Sequence, residues 1–304
     1  MLIVGPKDDF NLRLSELTGF DLVELEERVF PDGEICPRVI LNGRDLEGEE
    51  VLLSTRMSSG GGNPNSYLVE VLLTAINLKR ELGARKIVAL LPYFPYARQD
   101  NIFRKGEPLS SKYVADLLRD AGVDEVISVT VHLHRLKSFQ DLFAGGVRAI
   151  NISGFESLAR YLLKKDLTSP FILAPDTEGI HWARELAKFM DIAEFESFEK
   201  ERDLATGEIR TKIKELNLNG RDVIVVDDMV STGGTMANAV REAKRMGARR
   251  IISAFVHPVL VKGALDRILG AGADEIVATD TLRWAGSRVS VTDEVSRYLG
   301  RVRA

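Results

Sequence analysis

The chain has 304 residues, 45% of them hydrophobic and 28% charged, which excludes a disordered protein and suits two domains of about 150 residues each. Its formal net charge of -4 argues against nucleic acid as a partner. The single cysteine, Cys36, excludes an internal disulfide framework, and no apolar run reaches the roughly 20 residues of a membrane helix. The N-terminus MLIVGPKDDF lacks the pattern of a signal peptide, so we expect a cytoplasmic protein with no membrane partner.

The first polar feature along the chain is RVFPDGE, residues 28–34. Phe30 is suited to stacking on a flat ring, and Asp32 and Glu34 are suited to hydrogen bonds with it. An ordinary type I or II turn around the proline and glycine explains the same residues. Both interpretations stay open at this point.

A second polar cluster, LLPYFPYARQDNIFRKGEP at residues 90–108, follows an apolar strand pattern. Arg98 is suited to bidentate contact with phosphate, Gln99 to a base edge or a phosphate oxygen, and the neighbouring aromatic side chains to the face of a base. The alternative is a packed loop with a surface arginine.

Two histidines follow in the strand-like segment VTVHLH. His132 and His134 are two residues apart, so they point to the same face of a strand, and this spacing can serve a soft metal such as Zn²⁺.

The most informative segment is VIVVDDMVSTGGTM, residues 223–236. Four β-branched residues predict a strand buried on both faces, with Asp227 and Asp228 at its carboxyl end. Hydroxyls and glycines then precede a helical pattern, and the free N–H groups and dipole of a helix N-terminus favour phosphate. The segment therefore predicts a phosphate-binding loop.

The paired acids refine this prediction, because carboxylates repel phosphate and must face sugar hydroxyls or a metal ion. A ribose 5-phosphate satisfies both parts of the segment. The alternative is that the acids cap the turn and the glycines permit it. The motifs GxxxxGK[ST] and strand-linked GxGxxG are absent, which argues against a Walker-type ATPase and a dinucleotide-binding fold.

The chain also contains an internal repeat. AGVDEVISVTV at residues 121–131 is similar to AGADEIVATDT at residues 271–281, and LKRELGARKIVALLP at 78–92 is similar to AKRMGARRIISAFVHP at 243–258. Each match has the order of a helix end, a turn and a strand in a parallel sheet. We therefore predict an α/β protein with two tandem domains, residues 1–148 and 149–304, each a mainly parallel sheet flanked by helices.

Five motifs together resemble one family. FPDGE, PYFPYARQD, APD at 174–176, KER at 200–202 and VDDMVSTGGT occur in the order seen in ribose-phosphate pyrophosphokinases, particularly archaeal ones. The last motif is similar to the phosphoribosyl-diphosphate motif of type I phosphoribosyltransferases. The resemblance implies two phosphoribosyltransferase-like domains, ATP and ribose 5-phosphate as substrates, and phosphoribosyl diphosphate and AMP as products.

The resemblance also implies roles for individual residues. It places on the ATP side Phe30, Asp32, Glu34, Arg98, Gln99 and His134. It places around ribose 5-phosphate Asp227, Asp228, Ser231, Thr232, Gly233, Gly234 and Thr235. It implies Mg²⁺ ligation by His134 and Asp176, catalysis by Lys200 and Arg202 on a mobile polar hairpin, and a homo-oligomer in which the FPDGE loop reaches into a neighbouring subunit. The first domain then supplies ATP and oligomer contacts, and the second the sugar-phosphate site.

Two positions depart from the family pattern. His132 stands where the family usually has aspartate, which is a handicap for Mg²⁺, and Glu178 stands where it generally has glycine. These departures keep open the alternative of a catalytically weak regulatory paralogue. A simple phosphoribosyltransferase is a third alternative, although such enzymes normally need one domain and no FPDGE or YARQD motif on the ATP side. Lys200 and Arg202 fit the need for positive charge in phosphoryl transfer, although a solvated run of charges explains them too.

Overall fold

The computed structural model describes residues 1–133, 135–143, 145–202, 209–212 and 216–301, with the backbone alone for 199–202 and 209–212. Their contacts divide the chain into two compact units. Among the described helices, none combines the length and the apolarity that a membrane crossing requires.

The first unit contains a seven-stranded sheet of order β3-β2-β1-β4-β5-β6-β7. Its neighbouring strands are parallel, except for the antiparallel pair β2–β3. The strands are β1 Leu2–Gly5, β2 Leu22–Val29, β3 Ile35–Val39, β4 Glu50–Ser54, β5 Lys86–Leu90, β6 Glu125–Val129 and β7 Arg148–Ile152. The helices are α1 Asp9–Thr18, α2 Pro64–Arg80, α3 Ser110–Asp120 and α8 Thr292–Arg301, with a 3-10 helix at Phe139–Leu142.

The second unit contains a parallel five-stranded sheet of order β14-β13-β12-β8-β9. The strands are β8 Phe171–Ala174, β9 Phe195–Ser197, β12 Asp222–Val230, β13 Arg250–Pro258 and β14 Glu275–Ala278. A separate antiparallel pair is formed by β10 Glu199–Arg202 and β11 Ile209–Lys212. The helices are α4 Phe155–Leu162, α5 Ile180–Met190, α6 Gly234–Arg245 and α7 Ala264–Gly270, with a 3-10 helix at Thr177–Gly179.

The two sheets share one order over five strands. β2-β1-β4-β5-β6 in the first unit corresponds to β9-β8-β12-β13-β14 in the second. In this correspondence α2 matches α6 and α3 matches α7, and the repeated sequence segments fall on matching helix ends and strands. The predicted α/β fold with mainly parallel sheets is confirmed.

The limits of the units differ from the predicted division after residue 148. The first unit extends to Ser153, because β7 pairs with β6, and it includes the C-terminal segment from Thr292. That segment forms α8, which packs on α1 and bonds through the Tyr298 hydroxyl to Glu125 at 2.9 Å. The second unit includes Ser58–Gly61, a segment from the first half of the sequence.

Candidate active site

A pair of acids stands at the carboxyl end of β12, the central strand of the second sheet. Residues 223–226 are buried, as expected for a strand covered on both faces. Asp227 is half-buried and Asp228 is 2% exposed. The Asp227 carboxylate accepts a hydrogen bond from the backbone N–H of Asp228 at 3.0 Å. The acids lie where parallel sheets bind ligands, at the carboxyl ends of their strands.

A third carboxylate, that of Asp176, follows the neighbouring strand β8. It accepts a hydrogen bond from the N–H of Gly179 at 3.2 Å and so caps the short 3-10 helix. The pKa of Asp227 is raised well above its ordinary value, first by burial and then by the negative charges of Asp228 and Asp176. This region favours hydroxyl donors or a cation and disfavours phosphate.

The turn after β12 carries backbone donors that have no partner among the described residues. Within the described part of the chain, the N–H groups of residues 231–235 donate no hydrogen bond. Helix α6 begins directly at Gly234 and has no side-chain N-cap bond. Such free donors, together with the helix dipole, suit an anion such as phosphate.

Gly233 is required by both the conformation and the packing of this turn. It has a left-handed φ of 74°, and a Cβ at this position would lie 2.9 Å from the carbonyl oxygen of Ala264. Because an L side chain is strained at this φ and has no room here, glycine lets α7 approach the turn closely.

The matching helix of the first unit, α2, has its first turn satisfied by its own sequence. The Asn63 side chain accepts hydrogen bonds from the N–H groups of Asn65 and Ser66, at 2.9 and 3.4 Å. Pro64 has no N–H to satisfy. Of the two matching helices, α6 is therefore the one whose first donors are available to a ligand.

The FPDGE segment forms the loop of the β2–β3 hairpin. The N–H of Phe30 donates to the carbonyl of Glu34 at 2.7 Å, and the N–H of Glu34 donates to the Asp32 carboxylate at 3.1 Å. Asp32 and Glu34 are exposed, while Phe30 is half-buried beneath the guanidinium of Arg28, 4.7 Å from the ring centroid. The loop is a turn held by its own bonds, and it carries three predicted nucleotide contacts on one tip.

The loop before α3 holds two further predicted residues. Arg98 is exposed. The Gln99 side-chain oxygen accepts a hydrogen bond from the Ser110 hydroxyl at 2.6 Å, and the Gln99 backbone carbonyl accepts from the hydroxyl of Ser111 at 2.9 Å. These bonds give Gln99 a structural role at the start of α3 in addition to its predicted contact with the nucleotide.

An ion pair in this region was not predicted. The buried carboxylate of Asp100 accepts hydrogen bonds from the Arg135 guanidinium at 2.8 Å and from the Arg135 N–H at 3.2 Å. The Arg135 guanidinium also lies 4.9 Å from the ring centroid of Phe103. The pair joins the Arg98 loop to the segment after β6, and no local sequence pattern indicates a contact between these separate segments.

Three predicted site residues lie wholly or partly outside the described part of the chain. His134 lies outside the described residues, as do the side chains of Lys200 and Arg202, whose backbone forms β10. The predicted Zn²⁺ pair with His132 and the predicted mobility of the hairpin fall partly on these residues. Among the described side chains, no group of three or more histidines, cysteines or acids is arranged to hold a metal ion.

The two departures from the family pattern are both accessible. His132 is half-buried after β6, and Glu178 is exposed in the 3-10 helix after β8. Each follows a strand at its carboxyl end, the edge at which parallel sheets bind ligands.

Family models match most of the chain. The model described as the N-terminal domain of ribose phosphate pyrophosphokinase matches residues 3–122, and the phosphoribosyl transferase domain model matches residues 150–288.

Curated relatives match over nearly the full length. The ribose-phosphate pyrophosphokinase of Saccharolobus solfataricus is 35% identical over 98% of this chain and 99% of its own. That of Methanothermobacter thermautotrophicus is 38% identical over 91% of this chain and 92% of its own. A solved structure of phosphoribosylpyrophosphate synthetase from Mycobacterium smegmatis matches with a TM-score of 0.80, 27% identity, and coverage of 99% of this chain and 98% of that one.

Proposed function

This chain belongs to the ribose-phosphate pyrophosphokinase family, and we propose how its residues carry out the reaction of that family. The enzyme transfers the β,γ-diphosphoryl group of ATP to the 1-hydroxyl of ribose 5-phosphate, giving phosphoribosyl diphosphate and AMP. The 1-hydroxyl oxygen forms a bond to the β-phosphorus, the bond from that phosphorus to the oxygen shared with the α-phosphate breaks, and the hydroxyl loses its proton.

One observation supports the sugar-phosphate assignment most strongly. Asp227 and Asp228 lie near the carboxyl end of β12, two residues before a turn whose N–H groups have no partner among the described residues. Carboxylates accept hydrogen bonds from the ribose hydroxyls, while the N–H groups of residues 231–235 and the dipole of α6 bind the 5-phosphate. A ribose phosphate has its hydroxyls and its phosphate in an order that matches this segment.

On the ATP side, the roles come from the family motifs. Phe30 stacks on the adenine, Asp32 and Glu34 accept hydrogen bonds from it, and Arg98 and Gln99 hold the phosphates or the base edge. We assign Lys200 and Arg202 to the charge that develops on the transferring and leaving oxygens, since this reaction needs charge stabilisation more than covalent help from the protein.

For the metal, the donor chemistry fits Mg²⁺ delivered with the nucleotide. Asp176, beside the acid pair, supplies carboxylate oxygen, and the described residues offer no complete protein-made cage. This is the usual situation for Mg²⁺, which takes one or two carboxylates together with substrate phosphates. His134 is the second proposed ligand, and a Mg²⁺ ion held there would neutralise charge on the transferring phosphates.

We also propose that the enzyme works in the cytoplasm as a homo-oligomer, a dimer or a multiple of dimers. The exposed free thiol of Cys36 suits a reducing compartment. The exposed tip of the β2–β3 hairpin suits a contact with a neighbouring subunit, as the family motif implies.

The reaction is tested directly by measuring AMP from ATP and ribose 5-phosphate, with Mg²⁺, Mn²⁺ or Zn²⁺ supplied in turn. We expect AMP in amounts equal to phosphoribosyl diphosphate, and highest with Mg²⁺. Absence of AMP with every metal would favour the regulatory paralogue. Activity restricted to Zn²⁺ would support a role for the His132 and His134 spacing.

The sugar site is tested by Asp228→Asn. Because the lost contacts are charge-assisted hydrogen bonds, ribose 5-phosphate binding should weaken by about 1.5–3 kcal/mol while ATP binding changes little. Calorimetric titration with each substrate measures this difference. Asp166→Asn, which removes an exposed carboxylate of the second unit, is the matched control. Equal weakening of both substrates would contradict the assignment of Asp228 to ribose.

A further inference from the structure

The turn after β12 is held from one side by the segment that follows β13. The N–H of Leu260 donates to the carbonyl of Val230 at 2.8 Å, and the N–H of Val261 donates to the carbonyl of Ser231 at 3.1 Å. The Arg267 guanidinium, on α7, donates to the carbonyl of Thr232. Three consecutive carbonyls, those of the last residue of β12 and the first two residues of the turn, are therefore bonded by residues 260–267.

These bonds also orient the N–H groups of the turn. The described chain has no cis peptide bond, and in a planar trans peptide the C=O and the following N–H point in opposite directions. Fixing the carbonyls of residues 230–232 toward the neighbouring segment therefore turns the N–H groups of residues 231–233 away from it. Successive N–H groups that point to one side form an anion-binding concavity.

The segment after β13 is itself strained and braced. Leu260 has a left-handed φ of 49°, a conformation that an L side chain keeps when its surroundings enforce it. The Ser59 hydroxyl donates to the carbonyl of Pro258, and the N–H of Gly60 donates to the carbonyl of Val259 at 2.9 Å. The bracing explains why Ser58–Gly61 groups with the second unit.

We propose that Arg267 is a positioning residue for the 5-phosphate, because its bond to the Thr232 carbonyl directs the N–H of Gly233 into the phosphate site. This inference rests on the assignment of ribose 5-phosphate to the turn. Of the three bonds, the other two come from backbone N–H groups, so Arg267 supplies the one that a side-chain substitution removes. Its role is to orient a donor rather than to react.

The test compares Arg267→Ala with wild type in steady-state kinetics and in calorimetric binding of each substrate. We expect the KM and Kd of ribose 5-phosphate to rise about tenfold, since one donor of the site loses its orientation. The Kd of ATP and kcat should stay within about twofold, a separation that general destabilisation does not produce. Arg267→Lys keeps a cation and a donor, so it should recover part of the lost affinity. The recovery should be incomplete, because an ammonium lacks the planar fork of arginine.

Arg241→Ala is the matched control. Arg241 is exposed on α6 and bonds to Asn238 at 2.9 Å, so its removal changes the charge equally without touching the turn. We expect wild-type constants for both substrates. If Arg267→Ala leaves ribose 5-phosphate affinity unchanged, or weakens ATP equally, the positioning role is wrong.

A second measurement uses the unaltered protein. Backbone amide hydrogen exchange at residues 231–233 should slow when ribose 5-phosphate alone is added, because those N–H groups then donate to the phosphate. Unchanged exchange at saturating sugar phosphate would overturn the inference even if the variant fails to fold. Lack of AMP formation by wild type would instead reject the proposed reaction, so the two failures are distinguishable.

Discussion

At the level of single residues, Asp227 shows a conflict between stability and binding. Burial raises the pKa of its carboxyl, and so do the negative charges of Asp228 and Asp176. Each of these causes opposes the ionised form. A fold selected for stability alone would place a neutral side chain here. The proposed ligand accounts for the acid, since sugar hydroxyls or a cation would favour the ionised carboxylate.

This conflict predicts that Asp227→Asn raises the Tm of the ligand-free protein at neutral pH while it impairs ribose 5-phosphate binding. A raised pKa means that the folded state binds the proton more tightly than the unfolded state does. The free energy of unfolding therefore falls as the pH rises above 3.8, the ordinary pKa of an aspartate. The gain in Tm should therefore be present at pH 7 and shrink as pH falls toward 4. Thermal unfolding across this range measures it.

Asp222→Asn provides the contrasting control. Asp222 also lies on β12 and is fully buried, but its carboxylate pairs with Arg249 at 2.6 Å and accepts the N–H of Thr168 at 2.9 Å. Its replacement by asparagine should lower the Tm at pH 7, because asparagine has no charge and the ion pair is lost. A lower Tm for Asp227→Asn as well would show that Asp227 makes a net stabilising contribution.

At the level of elements, the same strand–turn–helix unit occurs in both sheets, but the first N–H groups of its helix are satisfied differently in each. Helix α2 uses Asn63 to satisfy its first N–H groups, whereas the first N–H groups of α6 have no partner among the described residues. The turn before α6 is bonded instead to the segment after β13. Capping by Asn typically contributes about 1 kcal/mol to helix stability. The second unit lacks that local contribution at the helix start where we propose that the 5-phosphate binds.

The sequence predicted the elements better than the contacts between them. The buried strand, the acid pair and the start of α6 follow from local pattern, and so does the repeat of helix end, turn and strand. The bond from Arg267 to Thr232, the Asp100–Arg135 ion pair and the return of α8 to the first unit join distant segments. Local periodicity and turn signals contain no information about such pairings, so these contacts needed the folded chain.

The β10–β11 pair contains the two proposed catalytic cations. The KER triplet forms β10, in register with β11, so Lys200 and Arg202 belong to one strand. If their cations act mainly in the transition state, Lys200→Ala should lower kcat by roughly 10² to 10³ and change the Kd of both substrates little. Lys188→Ala, on exposed α5 surface, is the control for lost charge. A normal kcat for Lys200→Ala would remove Lys200 from the catalytic residues.

At the level of the whole molecule, duplication accounts for the different functions that we propose for the two units. Both sheets keep one strand order, but the acid pair occurs in the second unit, and of the matching helices α2 and α6 it is α6 that has no side-chain N-cap bond. The first unit adds the β2–β3 hairpin, whose Val29 is 64% exposed, and the Arg98 loop. One copy is thus suited to the sugar phosphate, and the other carries the residues predicted to bind ATP and to contact a neighbouring subunit.

The β2–β3 hairpin carries Phe30, which the family resemblance places in the ATP site of a neighbouring subunit. If Phe30 completes the ATP site of a neighbour, then a Phe30→Ala subunit and an Asp228→Ala subunit, each inactive alone, form mixed dimers in which one site has both residues intact. Random mixing of the two subunit types in equal amounts makes about half of all dimers mixed, and one of the two sites in each mixed dimer is intact. AMP formation should therefore recover to about a quarter of the wild-type rate. If Phe30 serves its own subunit instead, every site in the mixture carries one lesion, and no activity returns even when mass measurement shows that mixed dimers have formed.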